Sequence, residues 1–147
     1  MSKETSAELI MKLYDLRREE KMREARNWFV AFFPQSAEDV MNAMIAAETS
    51  ASYRMAISYW DMAAGFVNHG AIDEEMFLDA SSEPVIYFAK VAPYLAEVRE
   101  RMQMPGYLKH LEALVGRMPD ADAVLAGHRE RMKRWMEARA AMSQAAG

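Results

Sequence analysis

The chain of 147 residues contains no cysteine, which removes disulfide staples, thiolate catalysis, thiolate zinc sites and CxxC redox chemistry together. Glycine and proline are scarce, six and five residues at separated points, so collagen-like and Pro/Gly-rich disordered architectures are excluded. Val and Ile are sparse and no alternating apolar pattern competes with a helical one. Long uncharged runs are also missing. The longest apolar region, residues 40–67, is interrupted by Glu48, Arg54 and Asp61, each costly at the centre of a bilayer. The first residues lack the basic segment and apolar run of a signal peptide. A cytoplasmic protein with no membrane partner is therefore expected. Charge of one sign is in short supply too: 18 basic against 22 acidic residues give a net −4, too mild to draw the chain onto nucleic acid.

What is present is helix-forming. Hydrophobic residues make up 52% of the chain and include 14 methionines among many Ala, Glu and Arg. A chain of this length buries roughly 70% of its unfolded surface, enough for a core without staples or a structural metal. Thr5 and Glu8 have capping-box spacing and Pro34 closes the following segment, so a long first helix is expected from about Ser6 to Phe33. Ser36 with Asp39 opens a second helix, and Gly70 sits where a left-handed cap releases it. Thr49-Ser50 is a point of weakness there, but the second helix is read as continuous. Asp73 caps a short helix, Ser81 or Ser82 with Pro84 opens another, and Pro93 kinks it. Pro105-Gly106 starts a helix that ends near Met118-Pro119, and Asp120 or Asp122 caps the last one, which runs into the tail Ala145-Ala146-Gly147. The expectation is a single all-α domain over residues 1–147, a bundle of five or six helices with a long N-terminal helix.

The helical faces add two anomalies. In the first helix Ile10, Met11, Tyr14, Trp28, Phe29 and Phe33 fall on one side, with Leu9, Leu13, Leu16 and Phe32 nearly opposite. Two readings stand: a central helix packed on both sides, or a second stripe that meets another copy of the protein. In the second helix Met41, Met44, Glu48, Ser52, Met55, Tyr59, Met62 and Phe66 share a stripe, which puts the Glu48 carboxylate among apolar neighbours. An acid there needs a partner such as Arg99 or Arg54, an exit to solvent, or a function. Pro84, Phe88, Val91, Leu95, Val98 and Met102 form the cleanest core stripe, continued by Leu108, Leu111, Leu114 or Val115, and Met118.

Catalytic motifs are lacking. There is no Glu-x-x-His pair for a di-iron bundle and no His-Glu-x-x-His for zinc. His69, His110 and His128 have no ligand spacing, so no metal is expected. Neither a glycine-rich phosphate loop nor a Gly-x-Ser-x-Gly or Ser-x-x-Lys nucleophile occurs. No cofactor is expected, and the reading leans away from an enzyme.

Tyr59-Trp60, the stretch His69-Gly70-Ala71-Ile72-Asp73-Glu74-Glu75-Met76-Phe77, Pro93-Tyr94-Leu95 with Arg99, and Tyr107, Leu111 and Leu114 resemble a bacterial family of small helical domains of unknown function. The Gly-Ala-Ile-Asp-Glu turn is the most family-like element, and the resemblance covers roughly the middle half of the chain. It implies an all-helical fold and brings no reaction with it. Some similar proteins place a membrane helix ahead of the domain, where this chain has its charged first helix.

The leading expectation is a non-enzymatic module that contacts protein, in the first place itself as a homo-oligomer, through Leu9, Leu13, Leu16, Trp28, Phe29, Phe32 and Phe33. The alternative is a small-molecule-binding bundle with a pocket beside the second helix, where Glu48, Ser52, Tyr59 and Arg99 supply the polar groups.

Overall fold

The computed structural model describes residues 2–146, and every regular element among them is helical. In chain order these are α1 (Lys3–Leu16), α2 (Glu20–Val30), α3 (Ala37–Ile45), α4 (Ser50–Asn68), α5 (Glu74–Ala80) and α6 (Glu83–Val91). A single 3-10 turn, Ala92–Tyr94, leads to α7 (Leu95–Met102), followed by α8 (Lys109–Gly116) and α9 (Ala121–Ala146). The expected tail is helical through Ala146; Gly147, like Met1, lies outside the described residues.

The chain is cut more finely than five or six helices, and the two long helices of the sequence reading are each two. The first breaks after Leu16 because Glu19 turns its carboxylate onto the Met22 amide at 3.0 Å and caps a new helix. Arg17, in the turn, reaches across to Ser81 and Glu83 instead of lying along a helix surface. The start differs as well: Ser2, not Thr5, is the N-cap, accepting from the Thr5 amide. The second long helix breaks at Ala46, whose backbone is extended, while the Thr49 hydroxyl donates to the Ala43 carbonyl at 2.7 Å and satisfies an end of α3.

Other local signals act as the sequence led one to expect. Ser36 and Asp73 cap α3 and α5 through the Asp39 and Met76 amides. Gly70, at φ 84°, ends α4 with the paired bonds Gly70 N–H to Val67 and Ala71 N–H to Phe66 that a left-handed cap requires. Pro93 interrupts the run from α6 to α7. Pro84, Phe88, Val91, Leu95 and Val98 are all buried, as are Leu108, Leu111, Leu114 and Val115.

One contiguous core runs from Leu13 to Leu125, with α4 at its centre, packed against α2, α3, α6 and α8. The buried face of α4 is Tyr53, Ala56, Ile57, Trp60, Ala63, Ala64 and Val67. It lies one residue, about 100° of turn, away from the stripe expected through Met55, Met62 and Phe66. Those three are 41%, 45% and 45% exposed. Small residues explain the choice. They let neighbouring helices approach closely, and at Gly65 an added Cβ would stand 3.2 Å from the His110 ring. Where α8 begins without a local cap, Asp61 of α4 accepts from the Leu111 amide at 3.0 Å.

Candidate functional site

The four groups expected around a pocket are dispersed. Glu48 lies in the turn between α3 and α4 and is exposed, because the break at Ala46 resets the helical phase and carries the carboxylate to solvent. It enters no hydrogen bond or ion pair among the described residues. The apolar surroundings that marked it out are therefore absent. Ser52 is half-buried. Tyr59 donates to the Leu13 carbonyl, and burial pushes its phenol up to about 12. Arg99 donates to the Tyr107 carbonyl at 2.6 and 2.9 Å and pairs with Glu112. It holds the α7–α8 turn.

The expected contact residues divide in two. Leu9 and Leu16 are exposed on one side of α1, and Met11 and Tyr14, also exposed, lie nearly opposite them. Leu13 and Phe29 are core residues, at 7% and 0% exposure, and offer no surface. Trp28 and Phe32 stack at 4.7 Å between centroids and are half-buried over Phe29, as is Phe33 beside them.

Two polar constellations escaped the sequence reading. In the first, Arg26 grips Glu83 with both ends of its fork, at 2.8 and 2.9 Å, and Trp60 Nε1 donates to the same carboxylate at 3.1 Å. Burial alone would push the Glu83 carboxyl up, but the hydrogen bonds and charge of Arg26, with Trp60 and Tyr87, hold it below the usual carboxylate range. Every member has a partner, so the cluster ties α2, α4 and α6 together and leaves no free group for chemistry. Next to it, α1 roofs an apolar cavity of about 160 Å³ lined by Ile10, Leu13, Tyr14, Trp60 and Phe77, with Arg17 at its edge.

The second constellation centres on Lys90. Its residue is 3% exposed, and Nζ donates to the Phe29 and Val30 carbonyls at 2.8 Å each, capping the C-terminal end of α2. The Phe33 ring covers the ammonium at 4.2 Å. Burial pulls the amine down to about 8. Lys90, Phe33, Pro34, Gln35 and Tyr94 form one side of a half-open cleft of about 440 Å³; Arg129, Glu130 and Lys133 of α9 form the other. The available signal was compositional, since Glu83 and Lys90 are the two charged residues of an otherwise apolar α6.

His69 and His110 have ring centroids 5.8 Å apart, but the described residues hold no group of three metal-ligating side chains. No helix among them is long and apolar enough to cross a membrane. The chain belongs to the family described as "Domain of unknown function (DUF4760)", whose model matches residues 4–118. The match spans α1 to α8 and stops short of α9. No curated protein and no solved structure matches the chain.

Proposed function

We propose that the chain is a non-enzymatic interaction module that pairs with a second copy of itself, with the distal half of α9 as the main contact and the outer face of α1 as a second. The carrying observation is the state of α9. It packs on α6, only Leu125 is buried, and from Glu137 to Ala146 every residue is exposed. A bare helical segment of this length is marginal in water without tertiary packing. This one carries Trp135 and Met142, exposed at 50% and 75%, with Met132 and Met136 at helical spacing beside them.

Charge favours a second copy as the occupant. In the distal half of α9, Arg134 and Arg139 outnumber Glu137, while the whole chain carries −4. The rest of a partner copy is therefore acidic. On the outer face of α1, the exposed pair Leu9 and Leu16 adds apolar surface of the kind found at isologous contacts.

Light scattering coupled to gel filtration tests this. The expected mass is twice 16.8 kDa at high loading, and Trp135→Ser with Met142→Ser is expected to return the monomer with an unchanged circular dichroism spectrum. A wild-type monomer at every concentration sinks the reading. The half-open apolar recess beneath α1 favours a second reading, the binding of a small apolar molecule against Ile10, Leu13, Trp60 and Phe77. A rise in Tm with benzene in a strictly monomeric protein would move the weight to it.

A further inference from the structure

We propose that the cleft between the α2–α3 loop, α6 and α9 binds a small organic anion, a carboxylate or a phosphate monoester with an apolar body, through Lys90, Arg129 and Lys133.

The cleft holds positive charge that no nearby carboxylate neutralises. Lys90 spends its donors on two main-chain carbonyls and lies under an aromatic ring. These contacts satisfy hydrogen bonds, but they are dipoles and a quadrupole, not a counter-charge. Arg129 likewise donates from Nη1 to the Ala89 carbonyl at 2.8 Å, which pins α9 to α6 and leaves the other guanidinium nitrogens available. Lys133 is exposed at the mouth. None of the three forms an ion pair among the described residues. Glu130 is the one acid lining the cleft, on its exposed rim, and it does not reach them within ion-pair distance. A protein of net charge −4 thus gathers three cations without carboxylate partners around one recess.

Shape and lining fit the same class of ligand. The volume of about 440 Å³ suits a metabolite-sized molecule. Phe33, Pro34 and Tyr94 give an apolar wall for the body of the ligand, while the cations meet its charged end. An anion that enters is desolvated on one side, where attraction to partly buried cations exceeds that at an open surface. Capping of α2 accounts for the two bonds of Lys90, but not for Arg129 and Lys133 converging on the same recess.

The test titrates the full chain, labelled with ¹⁵N, with phenyl phosphate, benzoate and inorganic phosphate at ionic strength matched by chloride. Saturable shifts are expected in the amides of residues 33–35, 90–94 and 126–133. Lys133→Gln and Arg129→Gln are each expected to weaken the tighter organic anion about tenfold. Lys133 is exposed, so its variant keeps the fold and the experiment remains decisive if the Arg129 variant loosens α9. The ranking of phenyl phosphate against benzoate identifies which anionic group the cleft takes. Inorganic phosphate binding as tightly as phenyl phosphate would remove the apolar wall from the proposal and overturn it. So would equal affinities in wild type and Lys133→Gln, or an absence of saturation.

Discussion

The two longest helices, α4 and α9, use their apolar residues in opposite ways. α4 buries a face built largely from alanine around Tyr53, Ile57 and Trp60, and leaves Met55, Met62 and Phe66 outside. α9 carries Met132, Trp135, Met136 and Met142 and buries only Leu125. In a bundle, the face that goes inside is the one its neighbours approach most closely. Small residues permit that approach, so large apolar residues alone do not mark the inner face. The contrast also tracks the family match, which includes α4 and ends before α9.

The sharpest way to break this comparison is to make one change in both helices. Trp60 is 2% exposed and hydrogen-bonded to Glu83; Trp135 is half exposed. Trp60→Ala is expected to cost about 3–5 kcal/mol, from lost burial, a cavity and an orphaned carboxylate contact. Trp135→Ala is expected to stay within about 0.5 kcal/mol. Urea unfolding at low protein concentration, where association does not contribute, measures both. A loss at Trp135 comparable to that at Trp60 would mean that the distal half of α9 belongs to the folded core after all.

A titration sharpens the contrast between the packed and bare ends of α9. Lys90, where α9 is packed, has its amine lowered to about 8, whereas in the unfolded chain it titrates near the ordinary 10.5. Below pH 8 both states hold the proton and the burial cost is felt in full. Between those values the unfolded chain holds more protons, so stability rises with pH. The rise amounts to at most about 3 kcal/mol, less whatever the carbonyl and Phe33 contacts return to the ammonium. Above about pH 9 the buried tyrosines oppose this rise, because burial raises Tyr53, Tyr59, Tyr87 and Tyr107 and the unfolded chain loses those protons first. Urea midpoints from about pH 8 to about pH 9, below the tyrosine range, should climb in the wild type and stay flat in Lys90→Met. Arg139→Gln, on the bare half, should keep the climb.

What the sequence made legible was local. Caps at Ser36 and Asp73, the left-handed turn at Gly70 and the Pro93 interruption each depend on residues within one turn of chain. The stripe from Pro84 to Val98 was readable because large apolar residues there repeat at helical spacing across a single kink. The two breaks were not, for different reasons. Glu19 is outside the residue types that usually cap a helix, and the Thr49 bond to Ala43 reaches back six residues. Once the phase was carried through residues 46–49 unbroken, Met55, Met62 and Phe66 of α4 were assigned to the wrong side, while Tyr59 of the same stripe does pack against the core. The Glu83 and Lys90 constellations join residues about 60 positions apart, and no spacing rule reports such pairs.

That error of phase exchanged the roles of two acids. Glu48 drew attention as a carboxylate among apolar residues, yet it stands in a turn at the surface. Asp61 looked like one more interruption of an apolar run, yet it accepts from the Leu111 amide and caps α8 across the interface. A cap of this kind contributes about 1 kcal/mol, and no local side chain can replace it, since Leu108 occupies the N-cap position. Asp61→Ala is therefore expected to lower stability by about that amount and to raise amide exchange in the first turn of α8. Glu48→Gln should leave both unchanged, because a solvated carboxylate without a partner loses nothing when neutralised. If Glu48→Gln proved the more costly, the turn between α3 and α4 would have to fold back onto the bundle. Met55, Met62 and Phe66 would then be candidates for the inner face once more.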